Sequence, residues 1–472
     1  MSKLPFHSST CGFLIGRFPD QMSVRDENNE QQILRVLGEG AFGEVLLVRK
    51  GDKGPLVAVK VMDMKRFTSS DDIKTFKKEA AIQQHLSNPG HANVLRYIGK
   101  RVDEAKKVFE LYLEYADGGE LFDRIEPDVG IRENKAQFYF RQLINGLEFI
   151  HGYGVTHRDI KPENLFLTKT DVLKIGDFGL ATIYKNNGKE REMTMPCGTM
   201  PYASPQVISS KYKGLPTDVW SAGVVLHVML TGELAWEKAH WQCPRYTSWL
   251  ERALIEPWNN IDSSALDLLY EMLCESEDQR ATFETIRSHK WYNKEFGDDE
   301  PSKKRVRITG SQPTFGTENG FGASETKIQM QPVPAMAFSQ PHNILLLTQE
   351  YDHSINPLAN MNSRLTRFCV DADYATFAER LQTACEEMSL EVKEKPPHQL
   401  MIFDHVQGMT MAVSVFEMFV GGQKRFLVDF RRSTGCGMTM KRTFLDLRRH
   451  LFDLICSDAT TTLEVGGLKI CE

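Results

Sequence analysis

The side chains best suited to chemistry fall in four short runs. His157-Arg158-Asp159-Ile160-Lys161-Pro162-Glu163-Asn164 sets a carboxylate, an ammonium and an amide close together. Asp159 can take the proton of an attacking hydroxyl, Lys161 can neutralise a migrating phosphoryl group, and the amide oxygen of Asn164 can ligate a hard metal ion. Asp177-Phe178-Gly179 begins thirteen residues after Asn164 and adds a second hard oxygen ligand, suited to Mg²⁺ bridging phosphates. Upstream, Gly38-Glu39-Gly40-Ala41-Phe42-Gly43-Glu44-Val45 has the glycine spacing that lets a backbone approach an anion closely. Lys60 stands seventeen residues beyond Gly43, and Glu79 nineteen beyond Lys60, so a Lys–Glu pair can hold the ammonium against phosphates.

Taken singly, these runs have plainer readings. The glycine loop equally describes a tight hairpin, and dinucleotide-binding folds share its spacing. A lone strand lysine is ordinarily a solvated edge residue. What separates the readings is context. Strand patterns flank the loop on both sides, and no helix pattern opens at its third glycine. All four runs then occur together in one chain, in this order and at these separations, which leaves coincidence a poor account of them.

The elements that must position these groups follow from hydrophobic period. Ile33–Leu37, Val45–Val48, Val57–Val61 and Val108–Tyr115 are apolar, β-branched runs bounded by Gly and Pro, which predicts an antiparallel sheet. Ile73, Phe76, Ala80 and Leu86 recur at helical spacing and predict a helix over 72–86 that carries Glu79. Helical patterns dominate from about 133, notably over 136–151 and 219–230. Composition shifts at Gly297 to Gly, Ser, Thr, Pro, Gln and Asn. Order returns near Arg364, with a helix over 375–388, strands over 411–419 and 425–431, and a helix over 444–455. Residues 1–30 read as a flexible extension.

The chain has 472 residues with 57 Lys+Arg against 63 Asp+Glu, a formal net charge of −6. That excludes a chain-wide polyanion binder and leaves local basic patches open. The nine cysteines form no C-x-x-C pair, which argues against a zinc ribbon or redox motif and suits a reducing compartment. No apolar run approaches the roughly 18 residues that span a bilayer.

With these motifs in hand, residues 31–296 resemble a eukaryotic protein kinase catalytic domain. The resemblance implies an α+β, bilobal kinase fold, with a β-rich N-lobe over 31–114 and a helical C-lobe over 118–296. It implies ATP and Mg²⁺ as cofactors. Leu37 to Val45, Lys60, Glu79 and the hinge residues Glu114 and Ala116 would hold the nucleotide. Asn164 and Asp177 would hold the metal. Asp218-Val219-Trp220-Ser221-Ala222-Gly223 resembles the family's buried helix. One departure stands out. Where the family has a glutamate in its A-P-E motif, this chain has Gln206, which leaves Arg280 a neutral partner at a cost on the order of 1–3 kcal/mol. No catalytic group is lost by it.

The hinge and the segment after it, Glu114 to Asp128, resemble the checkpoint kinase 1 family. So do Cys197–Tyr202, Gly232–Trp236 and Pro257–Asp262. Thr366-Arg367-Phe368 and Leu427–Arg431 resemble that family's C-terminal kinase-associated domain, here a small α+β unit over 364–460. The resemblance implies a nuclear Ser/Thr kinase of the DNA-damage and replication checkpoint, with room for a cytoplasmic pool. Its substrates would be cell-cycle phosphatases and related regulators carrying Arg three residues before the target. Glu120 and Glu163 are candidates to bind that arginine, through bidentate guanidinium–carboxylate pairing. Thr199 is expected beside Asp159 and Lys161. Rival readings are a calcium/calmodulin-dependent or energy-sensing kinase, or a pseudokinase scaffold. The scaffold would lack Lys60, Asp159 or Asp177, and all three are present.

The linker over 297–363 holds the chain's Ser/Thr-Gln pairs at Ser311, Ser339 and Thr348. By resemblance these are sites for phosphatidylinositol-3-kinase-like damage sensors. Lys303–Arg307 is a basic run of the nuclear-import kind. Between Lys424 and Arg449, eight Lys/Arg face two Asp, a local balance of +6. This segment reads either as a solvated or lipid-facing basic surface, or as one that docks on the kinase domain and inhibits it. No direct nucleic-acid site is expected.

Overall fold

The structure, a computed structural model, describes residues 31–297 and 366–455 apart from short breaks at 41–42, 52–53, 67–69, 187, 254, 396–398, 421–422 and 435–436. The extension 1–30, the basic run 303–307 and Ser311, Ser339 and Thr348 lie outside the described residues, as do Ala41 and Phe42.

The first lobe is a five-stranded antiparallel sheet backed by one helix. In chain order it comprises β1 (Gln31–Gly40), β2 (Gly43–Lys50), β3 (Leu56–Asp63), α1 (Ser70–Leu86), β4 (Tyr97–Asp103) and β5 (Val108–Glu114). The strands lie in the order β1-β2-β3-β5-β4. Strand β4 is not apparent from sequence period, because it is an edge strand with mostly half-buried and exposed positions. On α1, Phe76, Glu79, Ala80, Gln83 and Leu86 are buried. They recur at i+3 and i+4, so the stripe that seats the helix also aims Glu79 inward.

The second lobe is helical. Its elements of use here are α2 (Leu121–Arg124), α3 (Glu133–Gly152), β6 (Leu165–Leu167), β7 (Leu173–Ile175), α4 (Gly214–Thr231) and α5 (Ser263–Met272). Helix α4 is buried without interruption from Thr217 to Met229 and forms the centre of the lobe. A helix apolar all round is a core helix, so the other elements pack on it. It ends at Gly232, whose φ of +72° is left-handed and whose Cβ, if present, would sit 2.2 Å from the Glu126 carbonyl. Around α4, Trp236, Tyr246, Trp249 and Trp258 pack with Trp220, with neighbouring ring centroids 4.4–6.3 Å apart.

The tail unit is a second five-stranded antiparallel sheet with two helices packed against it. It runs β8 (Arg367–Val370), α6 (Tyr374–Glu387), β9 (Glu391–Lys395), β10 (Gln399–Asp404), β11 (Met409–Val420), β12 (Gln423–Thr434) and α7 (Gly437–His450). The strand order is β8-β12-β11-β10-β9. Two expectations are corrected here. Three of these strands, β8 to β10, escape the sequence period; β9, Glu-Val-Lys-Glu-Lys, offers one apolar residue to read. The last helix begins at Gly437 instead of 444 and ends at His450 instead of 455. Gly437 and two threonines disguise its first turns, yet Met440, Phe444, Leu447 and Leu451 follow one another at helical spacing into the tail core.

Candidate active site

The glycine loop is the β1–β2 hairpin, with Gly40 paired to Gly43 and Gly38 to Val45. A Cβ at Gly43 would lie 1.8 Å from the Val61 carbonyl, so only glycine fits where β2 crosses β3. Lys60 lies on β3 opposite Val45 and Leu111. Its Nζ donates to Glu79 Oε1 at 2.8 Å and to Asp177 Oδ1 at 3.3 Å. One ammonium thus joins the sheet, α1 and the loop after β7. Burial disfavours its charge, but Glu79 and then Asp177 outweigh that and raise its pKa. Burial raises the Glu79 carboxyl above its ordinary value, with Lys60 acting against it. Lys60 holds Asp177 down to about 2, against burial.

The catalytic loop is held from beneath by α4. Asp218 is fully buried and accepts bonds from the backbone N–H groups of His157 and Arg158, both at 2.8 Å, and from Thr156 Oγ1 at 2.9 Å. It also lies 2.8 Å from His151 Nε2. These bonds fix Arg158 in a left-handed conformation (φ +66°) and turn the chain so that Asp159 faces the cleft. His157 Nε2 contacts the Gly176 carbonyl at 2.9 Å, which ties this loop to the one carrying Asp177. In the sequence the Asp218 segment stands out only as part of a buried helix. An aspartate inside an otherwise apolar helix is the signal for its anchoring role.

At the centre, Thr199 Oγ1 donates to Asp159 Oδ1 at 2.7 Å, and Lys161 Nζ donates to Thr199 at 2.8 Å and lies 2.9 Å from Asp159 Oδ2. Asn164 Nδ2 donates to the Asp159 carbonyl at 2.8 Å and to its Oδ2 at 3.0 Å. Both bonds run from Nδ2 and leave Oδ1 as an acceptor. Burial opposes the Asp159 charge, but Lys161 and the Thr199 hydroxyl prevail and hold its pKa below the usual carboxylate value. A carboxylate that already accepts one hydroxyl can accept another from a substrate.

Glu120 is the N-cap of α2, in a reciprocal capping box with Asp123. Glu163 sits in the 3₁₀ turn Pro162–Asn164, with Oε2 buried. Glu114 pairs with Lys174 at 2.8 Å, and Ala116 is buried behind the hinge. The Arg158 side chain is held by neutral groups further along the chain. Arg158 Nε and Nη2 donate to the Leu180 carbonyl at 2.8 and 2.6 Å, and Nη1 donates to the Tyr212 hydroxyl at 3.0 Å. Arg280 is buried and donates to Gln206 Oε1 at 2.9 Å and to the carbonyls of Pro216, Cys274 and Glu275.

Residues 31–292 match the family described as the protein kinase domain. The chain belongs to the protein kinase family. It is similar along most of its length to the serine/threonine-protein kinase chk-1 of Caenorhabditis elegans, at 41% identity over 92% of this chain and 89% of that one. The chk-1 protein of Caenorhabditis briggsae is 40% identical over 96% and 95%. The serine/threonine-protein kinase grp of Drosophila melanogaster is 33% identical over 91% and 93%. The chain is therefore a Ser/Thr protein kinase of the checkpoint kinase 1 type.

Protein kinases use ATP with Mg²⁺, and the donor set here fits that metal. Among the described residues no group of three or more His, Cys, Asp or Glu could hold an ion. Mg²⁺ is commonly bound by one or two protein oxygens plus phosphates and water, which one carboxylate and one amide oxygen supply. Among the described residues, no helix is long and apolar enough to cross a membrane.

Proposed function

We propose that this kinase acts in the nucleus in the DNA-damage and replication checkpoint, phosphorylating cell-cycle regulators at Ser or Thr with Arg three residues before the target. Asp159 accepts the proton of the substrate hydroxyl, and Lys161 steadies the charge that moves during transfer. Lys60, fixed by Glu79, orients the nucleotide phosphates under the glycine loop. Asn164 Oδ1 and Asp177 are the metal ligands. Bound Mg²⁺ would supply charge neutralisation across the phosphates. Glu120 and Glu163 receive the substrate arginine. Phosphorylation of Ser311, Ser339 or Thr348 by phosphatidylinositol-3-kinase-like kinases relieves inhibition by the tail.

One observation carries most of this reading: Lys60 bonds Glu79 and Asp177 together while the Arg158 guanidinium is satisfied by Leu180 and Tyr212. Many kinases need a phosphorylated loop residue to engage the arginine beside the catalytic aspartate. Here neutral groups of the chain take that place, which supports activity without loop phosphorylation and disfavours the energy-sensing reading. The test is a kinase assay of bacterially made, phosphatase-treated full-length protein on an Arg-x-x-Ser peptide and its Ala-x-x-Ser counterpart. Activity with a preference for arginine, reduced by Glu120→Ala or Glu163→Ala, is expected. Inactivity before loop phosphorylation, or an unchanged preference in both variants, would sink it.

A further inference from the structure

Behind the hinge, three segments that lie far apart in the chain are drawn together. Glu114 closes β5. Its backbone N–H donates to the Arg96 carbonyl at 2.9 Å, and its Oε2 accepts from the Arg96 backbone N–H at 3.1 Å. The residues just before Arg96 run alongside β7. Leu95 N–H donates to the Ile175 carbonyl and Ile175 N–H to the Asn93 carbonyl, both at 2.9 Å. Asn93 Nδ2 adds a bond to the Leu173 carbonyl at 2.9 Å. Lys174, the middle residue of β7, is buried and reaches across this seam. Its Nζ lies 2.8 Å from Glu114 Oε1 and donates to the Ala92 carbonyl at 3.1 Å.

The Glu114 carboxylate thus has one oxygen on a backbone amide of the first lobe and the other on an ammonium of the second. Its side chain is 32% exposed and that of Lys174 11%, so water screens their attraction only in part. Removing either partner leaves the other charge sheltered without its counterpart, and the chain must shift to rehydrate it. The two ends of this brace are not equally free to shift. Strand β7 is fixed on both sides: Gly176, the next residue, donates its N–H to the Asn164 carbonyl at 3.0 Å, and Asp177 follows. Glu114 instead stands where the chain leaves the sheet for the hinge. What a hinge offers a purine is its backbone N–H and C=O groups. A displacement of about 1 Å there is enough to lose such a bond.

We propose that Lys174 is a positioning residue for the adenine base: from the anchored strand β7 its ammonium holds the Glu114 carboxylate, and with it the hinge backbone, at the spacing the base requires. This rests on the assignment of Glu114 and Ala116 to the nucleotide. The brace acts on the base, whereas the phosphates are addressed by Lys60 and Asp177, which meet each other directly. Its loss weakens nucleotide binding. Turnover at saturating ATP is spared, because Asp159 keeps its contacts with Lys161, Asn164 and Thr199.

The test is steady-state kinetics of full-length protein carrying Lys174→Met, Lys174→Arg, Glu114→Gln, or Lys174→Met together with Glu114→Gln. Adenosine, which has the base and no phosphate, and tripolyphosphate, which has phosphates and no base, serve as inhibitors competing with ATP. Lys174→Met should raise the KM for ATP and the Ki of adenosine by roughly three- to tenfold, and leave the Ki of tripolyphosphate, the KM of the Arg-x-x-Ser peptide and kcat within about twofold. Lys174→Arg keeps the charge and should stay within about twofold of the unaltered protein. Glu114→Gln should act in the same direction as Lys174→Met, and the double variant should raise the KM for ATP no more than the larger single effect, since both changes break one contact. An unchanged KM for ATP in Lys174→Met overturns the proposal. So does an equal rise in the Ki of tripolyphosphate or the KM of the peptide, the result of a general loosening of the fold, and so does a double variant whose effect is the product of the singles. If tripolyphosphate competes with ATP in the unaltered protein and adenosine does not, the hinge assignment itself has failed, and the proposal with it.

Discussion

Replacing Gln206 by Glu would give Arg280 the charged partner that its buried site lacks. Among the described residues the guanidinium bonds only neutral acceptors, Gln206 Oε1 and three carbonyls, and stacks 4.8 Å over Trp220. Burial depresses its pKa to about 10, with Glu277 the first of the groups resisting. At an effective dielectric near 20, a carboxylate in place of the Gln206 amide attracts the guanidinium by about 4–5 kcal/mol. Against this stand the desolvation of the new charge and loss of the Gln206 Nε2 bond to the Glu275 carbonyl, now at 2.5 Å. Those terms together cost about 2–4 kcal/mol. Gln206→Glu should therefore stabilise the kinase domain by about 1–2 kcal/mol and raise its melting temperature by roughly 2–6 °C. The introduced carboxylate has a depressed pKa in the folded state, so the gain is present at neutral pH and fades as pH falls below about 4. Thermal melts of the full-length protein at several pH values measure it. The kcat should not change, because Gln206 touches no catalytic group. A melting temperature equal to or below that of the unaltered protein would refute the view that Gln206 leaves a stability deficit.

Asp159→Asn keeps one side-chain acceptor, for either Thr199 or Asn164, and removes the base, so kcat should fall by about 10²–10⁴-fold with nucleotide affinity within roughly threefold. Binding measured by calorimetry beside a radiometric assay separates the two, and retained turnover would remove Asp159 from its role. Asp159 and Asp177 are both held below the ordinary carboxylate value, and Lys60 above the ordinary lysine value. All three are then in their working forms across neutral pH, and kcat/KM should be flat from roughly pH 6 to 8. An acid limb centred in that range that Asp159→Asn abolishes would contradict this.

Much of the site is legible in the amino-acid sequence. The motifs are local, and their spacing follows from the elements that carry them: a period of two for β3 and a period near 3.6 for α1 put Lys60 and Glu79 where a pair could form. What period cannot reveal is which distant groups meet. Lys60 and Asp177 are separated by 117 positions and come within 3.3 Å. Asp218 anchors a loop about sixty residues away from it in sequence. Arg158, next to Asp159 in sequence, is satisfied by Leu180 and Tyr212, 22 and 54 positions away.

The basic segment of the tail shows the division most clearly. By composition, Lys424 to Arg449 is one cationic stretch of +6. In the fold its members part company: Arg431 pairs with Asp429 at 2.8 Å, Arg449 with Asp446, and Lys441 is buried against the kinase domain. The residue types alone determined a Ser/Thr kinase with its catalytic groups in order, because those groups lie in short runs whose chemistry does not depend on the rest of the chain. Only the tertiary structure decided which cation the tail commits to the kinase. Burial and charge pairing are properties of packed surfaces, and helix α7 presents one face to each of two cores.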